Sequence, residues 1–235
     1  MPWIMILVIF LSNVVIAVST PMVYADSESM QILERKIQTV LAESASSIPD
    51  PTNLLTLADL YLDLGDEHIE MSKRRVAYEE GARLARQALE IQEGNAQAHY
   101  LYAANLGSAV QLKGVMASAL TITELKAHVR RALELKPDYA PALHMMGMML
   151  EELPWFLGGN SVEALTYLKR ATVTDSSYIH ARLDLARAYI KRGDLGEARR
   201  ELGIILGGVS SSTPSGSDGR YREEASTLFK SLQTR

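Results

Sequence analysis

The sequence predicts an all-α protein: a right-handed helical solenoid of about four helix–turn–helix repeats, with a capping helix at each end. Three observations predict it. One spacing of small and apolar residues recurs four times in a single register. Turn and cap residues stand where helices must start and stop. At 235 residues and 47% hydrophobic content the chain can fill one sizeable core, spread along a stack in which each repeat touches its neighbours.

The clearest copy runs from Ile179 to Leu206. It reads Arg182-x2-Leu185-Ala186-x2-Tyr189, then nine residues to Ala198-x3-Leu202-x2-Ile205. Small residues at these steps let two helices pack closely. Arg192-Gly193-Asp194 supplies the turn: Gly193 takes the left-handed conformation and Asp194 caps the next helix. This position accounts for the Arg-Gly-Asp triplet as a turn and not as an adhesion signal. Upstream, Leu143-x2-Met146-Gly147 leads to Ala164-x3-Leu168-x2-Ala171, and His99-x2-Tyr102-Ala103 leads to Leu125-x3-Val129-x2-Ala132. Leu54-x2-Leu57-Ala58 leads in turn to Gly81-x3-Ala85-x2-Ala88.

The successive copies start 45, 44 and 39 residues apart, against an ordinary period of about 34. The excess lies between the two helices of each pair. Tyr61 to Gly81 is 20 residues, Leu106 to Leu125 is 19 and Leu150 to Ala164 is 14. The extra length therefore projects from one edge of the stack, where repeat proteins often build a binding surface.

Residues 1–25 carry no charged side chain, and Val23-Tyr24-Ala25 offers the small residues a signal peptidase reads. A secretory signal peptide cut after Ala25 is expected, with an uncleaved membrane anchor as the alternative. Either places the repeats in the periplasm or otherwise outside the cytoplasm. Glu28 to Ser46 is an amphipathic helix with Met30, Leu33, Ile37, Val40 and Leu41 on one face, covering the first repeat. Asp50 caps the first repeat helix and Pro51 opens it.

The first insertion, residues 62–80, has Gly65 as a break and is otherwise lengthened helix; Lys73-Arg74-Arg75 is a solvated face. The second, within 107–123, is small and apolar and packs against a neighbouring helix. In the third, Pro154 stops a helix near Leu153, and Asn160 with Glu163 starts the next as a capping box. Between them, Trp155 and Phe156 fold back to plug the hairpin. The other reading has backbone amides at Gly159 to Ser161 holding an anion beside an aromatic wall. Residues 26–206 thus form the solenoid with its N-terminal cap, 207–219 a flexible Gly/Ser linker and 220–235 the closing helix.

The first helix of each repeat faces a concave groove. Candidate partner- or ligand-binding residues on that face are Tyr100, His144, Met148, Glu151, His180, Asp184 and Arg187, with Trp155 and Asn160 at the insertion edge. Tyr100, His144 and Ala104 stand where a carboxylate clamp needs Lys and Asn, which removes that specificity. His144 to Met149 invites a copper reading, but Met145 and Met149 leave the face that carries His144 and Met148, and methionine is an adaptable core filler. Glu151 and Glu152 diverge on a helix, and no nucleophile, phosphate loop or zinc-helix motif accompanies them. No catalytic residue, metal or cofactor is expected. A formal charge of −4 without basic excess makes nucleic acid an unsuitable partner. The absence of cysteine excludes disulfides, thiolate sites and a lipidated N-terminal cysteine.

On these four copies the chain, over about residues 50–206, resembles the tetratricopeptide-repeat family. The long hairpins and the Leu153-Pro154-Trp155-…-Gly158-Gly159-Asn160 turn are similar to the periplasmic T component of TRAP-type transporters. That resemblance implies a non-catalytic binding scaffold docking a solute-binding protein or transporter subunit. The alternative is a carrier for a hydrophobic or carboxylate ligand, with a cavity under Val110 to Leu120.

Overall fold

The computed structural model describes residues 20–44, 50–112, 119–209 and 217–233. These residues hold ten α-helices and no strand. They are α1 (Thr20–Ser44), α2 (Pro51–Glu67), α3 (Met71–Ile91), α4 (Ala96–Leu112), α5 (Ala119–Leu135), α6 (Ala140–Glu152), α7 (Ser161–Thr174), α8 (Ile179–Arg192), α9 (Leu195–Leu206) and α10 (Asp218–Gln233). Four antiparallel pairs, α2/α3 to α8/α9, stack so that the first helices follow one another: α2 on α4, α4 on α6, α6 on α8. The first helix α1 packs on α2, and α10 packs on α9 and α8. Residues 1–19, 45–49, 113–118, 210–216 and 234–235 lie outside the described residues, and with them the expected signal peptide up to Ser19, the last two residues of the expected Glu28–Ser46 helix, much of the Val110–Leu120 cavity and most of the linker.

The repeat register is the core. Ala58, Ala103 and Ala186 from the first helices are 0% exposed, as are Ala85, Val129, Leu168 and Leu202 from the second. The next position, Ala88, Ala132, Ala171 and Ile205, is also fully buried. Gly147 takes the same place in the third repeat, where a Cβ would stand 2.8 Å from Leu168 Cγ. Small residues are needed here because the paired helices nearly touch.

Caps form largely as the sequence indicates. Asp50 accepts from the Thr52 amide at 3.2 Å with Pro51 opening α2. Asn160 accepts from the Val162 and Glu163 amides, both at 3.2 Å. Gly193 is left-handed at φ 82°, but the Asp194 side chain makes no cap bond. Gly65 does not break anything. It lies inside α2, and its missing side chain admits the Tyr78 ring, which a Cβ would meet at 2.3 Å. The first insertion is thus helix on both sides of a short turn, residues 68–70. Arg74 leaves the solvated face, donating to the Gly65 carbonyl at 3.1 Å. Leu41 points outward at 40% exposure, while Met30, Leu33, Ile37 and Val40 cover the first repeat.

Candidate functional site

The groove-facing residues of the third and fourth repeats come together as one network. Asp184, 3% exposed, receives His144 Nε2 at Oδ2 across 2.8 Å and Arg187 at Oδ1. His180 Nε2 stands 3.3 Å from the same Oδ2. His180 and Asp184 share a face of α8 because they are four residues apart, and Arg187 lies three further on. The Tyr178 hydroxyl contacts His144 Nδ1 at 3.1 Å. Arg187 also donates to Glu224 of α10, its Nε at 3.0 Å, and Tyr221 of α10 stacks on His180 with ring centres 4.3 Å apart.

Burial raises the Asp184 carboxyl, but the His144 hydrogen bond and the nearby His180 and Arg187 outweigh it and hold its pKa down to about 2. His180 also shifts down from its ordinary value, which for a histidine means that it is held neutral. Burial among the surrounding groove groups first, then the charges of His144 and Arg187, push its pKa down to about 3 against the pull of Asp184. Its side chain nonetheless keeps 38% of its surface open to solvent, at the bottom of a concave face.

Tyr100 meets Tyr139 edge-on at 5.5 Å, and Tyr178 meets His144 edge-on at 5.2 Å, so aromatic rings line the groove from α4 to α10. Opposite them, α2 presents Asp59, Asp63 and Asp66. Burial first, then the charges of Asp59, Asp66 and Glu67, drive the Asp63 pKa up to about 7, with Lys36 the opposing charge. A carboxyl raised in the folded state destabilises it once ionised, so this strain grows as pH rises through about 7. Asp63→Asn is therefore expected to stabilise the protein at pH 8 by about 1–2 kcal/mol, allowing for solvent screening, and to do little at pH 4. Urea unfolding at the two pH values measures it.

The C-terminal helix reaches across one end of the groove instead of only capping the stack. Arg220 donates to the Asp66 carbonyl at 3.2 Å and sits 3.5 Å from Glu67. Ser217 reaches Glu67 from the same end at 3.4 Å, and Ser29 of α1 donates to it at 3.0 Å. The last helix thus touches the first repeat.

The remaining candidates stand apart from this network. Met148 is half-buried against the cluster that holds Leu168, Leu183 and Leu202. Glu151 is held by Lys191 at 2.9 Å and by Arg192, tying α6 to α8. Asn160 is a helix cap, and its own amide donates to the Leu150 carbonyl at 2.8 Å while Gly159 donates to Pro154. Two of the amides expected to hold an anion are therefore used within the turn. Trp155 and Phe156 do not plug the hairpin: they are 84% and 67% exposed, because the 3-10 turn Trp155–Leu157 directs them outward.

Sequence reasoning left out the first repeat and the aromatic ring. Carrying the Met148 and Arg187 position back to α2 gives Asp59, and Asp63 follows one turn later. Tyr139 and Tyr178 each stand four residues before their repeat's first marked position, Leu143 and Arg182. No sequence signal announces that Arg220, Tyr221 and Glu224 enter the groove.

A stack of paired helices with a concave face defines a tetratricopeptide-type scaffold, and a tetratricopeptide-repeat family model matches residues 158–206. The model of the family described as regulator of microtubule dynamics protein 1-3 matches residues 24–152, over half of the sequence, and the chain belongs to that family. It is similar to regulator of microtubule dynamics protein 1 of Bos taurus, 30% identical over 138 residues, covering 52% of this chain and 43% of the relative. The Homo sapiens protein is 28% identical over 138 residues, with 52% and 44% covered. The chain therefore spans less than half the length of the curated relatives it matches. Among solved structures, a thermophilic TPR protein of Thermus thermophilus superposes with a TM-score of 0.60 over 92% of this chain and 95% of that one, at 17% identity, which supports the fold alone.

This kinship overturns the periplasmic or extracytoplasmic placement and its alternative, an anchored chain facing outside the cytoplasm. The relatives are mammalian regulators of microtubule dynamics, from cells without a periplasm. The family match begins at residue 24, ahead of the expected cut, and α1 runs as unbroken helix through Ala25. Among the described residues no helix is long and apolar enough to cross a membrane. An uncharged apolar run is compatible with several fates, and only one of them is export.

Proposed function

We propose that the chain is a non-catalytic scaffold that takes a basic segment of a partner protein into its concave groove, in the service of microtubule regulation, the role named for its relatives. One observation carries this reading. The acidic face of α2, with the Asp63 carboxyl driven up to about 7 by burial and like charge, is already met at one end by a guanidinium, that of Arg220. A cation from a partner would relieve the same strain along Asp59 and Asp63, with tyrosines supplying an aromatic wall. Groove charge favours a protein partner over a small-ligand carrier. The clefts at α1/α2, about 510 Å³ beside Lys36, Val40 and Leu60, and at α2/α3, about 260 Å³ beside Tyr61 and Val76, are open troughs and not closed tunnels. A solute-binding protein as partner would need a compartment that the kinship does not support.

The test is fluorescence anisotropy of labelled Lys/Arg-rich and Glu-rich peptides with the full chain, beside co-pelleting with polymerised tubulin. The basic peptide should bind with a strong salt dependence, and Asp59→Asn with Asp63→Asn should weaken it at least about tenfold. Equal binding of the acidic peptide, or no loss in the double variant, would remove the α2 face from the account. Co-pelleting that the double variant retains would place microtubule contact elsewhere on the molecule.

A further inference from the structure

Three metal-type donors converge where α6 meets α8. One ring nitrogen from each of His144 and His180 and a carboxylate oxygen of Asp184 lie within 4.8 Å of one another. Asp184 Oδ2 is 2.8 Å from Nε2 of His144 and 3.3 Å from Nε2 of His180. Ligands bonded at about 2.0–2.1 Å to a tetrahedral zinc ion stand about 3.3 Å apart, so little movement separates this cluster from a coordination shell. Two imidazoles and one carboxylate also match the donor preference of borderline divalent ions.

We propose that His144, His180 and Asp184 bind one divalent transition-metal ion of the zinc type, with solvent completing the shell on the open side of His180. The surrounding groups orient the donors. Arg187 holds Asp184 by Oδ1 and leaves Oδ2 turned toward both histidines, while Glu224 balances the charge of Arg187. The Tyr178 hydroxyl at His144 Nδ1 is an outer-shell partner of the kind that fixes a ligating imidazole. Loading needs the lone pair of His144 Nε2, so the proton that faces Asp184 there is displaced, to solvent from an imidazolium or to Nδ1 from a neutral ring, and the Nδ1–H is then accepted by the Tyr178 oxygen. The ion would join the third repeat to the fourth at the floor of the groove. This site does not depend on what the groove binds.

The experiment is titration of the full chain with Co2+, read by its visible ligand-field absorption, followed by Zn2+ competition and calorimetry. One ion per chain is expected, with Zn2+ displacing Co2+. His180→Ala and His144→Ala should each weaken binding at least about 100-fold, a loss no smaller than that of outer-shell partners. His128→Ala, which alters the separate His99–His128 contact at 2.9 Å, should leave the signal unchanged. Absence of the absorption at saturating Co2+, or its survival in His180→Ala, overturns the site. Should His144→Ala fail to fold, His180→Ala still decides, since that side chain is partly open to solvent.

Discussion

Alanine at both His144 and Arg187 should destabilise the fold by about 3–5 kcal/mol, the scale of a buried ion pair broken from one side. The two side chains hold the two oxygens of Asp184, whose side chain is 2% exposed, and their removal leaves only the longer contact to His180. From the sequence this pair looks like solvent-facing groove residues whose loss would leave the fold intact; the burial of Asp184 changes that expectation. Urea unfolding at pH 7 measures the loss. Adding Asp184→Asn should recover part of it, because the stranded charge is gone; no recovery would trace the loss to packing.

The pH dependence follows from the same groups. Asp184 has a folded pKa of about 2 against an ordinary 3.8, so its contribution, about 2 kcal/mol, is present above pH 4 and disappears as pH falls through about 2. His180 acts over a higher range. The folded state refuses, until about pH 3, a proton that the unfolded chain accepts near its ordinary 6.5, so stability declines steadily from pH 6.5 downward. Asp63 adds stability as pH falls over the same range, so the difference is the test: relative to the parent, His180→Gln should gain melting temperature as pH falls from 7.5 to 5.

The fold was legible because the repeat register is a packing rule. Ala58, Ala85, Gly147 and Ala186 had to be small where helices cross, and that spacing is visible without coordinates. The groove face was legible from the same helical period, which is why His144, His180, Asp184 and Arg187 could be named together. What could not be read was how deep that face lies. Period alone does not distinguish a solvated charge from Asp184 under two histidines. Nor does it show that α10 bends back, after residues that resemble a free linker, to set Arg220 against Glu67. Gly65 was misread for a related reason: a glycine inside a helix can mark a neighbour's ring as easily as a break, and Tyr78 lies 13 residues away. The cellular address failed because an apolar run followed by three small or aromatic residues, Val23-Tyr24-Ala25, does not by itself specify a compartment.

Gly159→Ala should cost about 2–3 kcal/mol, the upper range for forcing an atom into filled space. Its Cβ would fall 1.7 Å from the Leu153 carbonyl oxygen and 2.6 Å from the Leu153 carbonyl carbon, backbone atoms that cannot rotate aside. Relief requires reopening the turn. That turn is held by the Leu157 and Gly159 amides on the Pro154 carbonyl, at 2.9 and 3.0 Å, and by Lys126 on the Leu157 and Gly158 carbonyls, at 3.0 and 2.9 Å. Asn160 follows directly, so its cap on α7, itself worth about 1 kcal/mol, is disturbed as well. Unfolding curves at pH 7 measure the loss. Trp155→Ala with Phe156→Ala makes the contrast: both rings are exposed, so stability should change by less than about 0.5 kcal/mol. The two variants together separate edge from groove. If the partner docks in the groove, Trp155→Ala with Phe156→Ala leaves affinity unchanged while Asp59→Asn with Asp63→Asn reduces it. If the exposed aromatics are the contact, the pattern reverses, and Gly159→Ala, which displaces the turn that presents them, loses binding at temperatures where the rest of the stack is still folded.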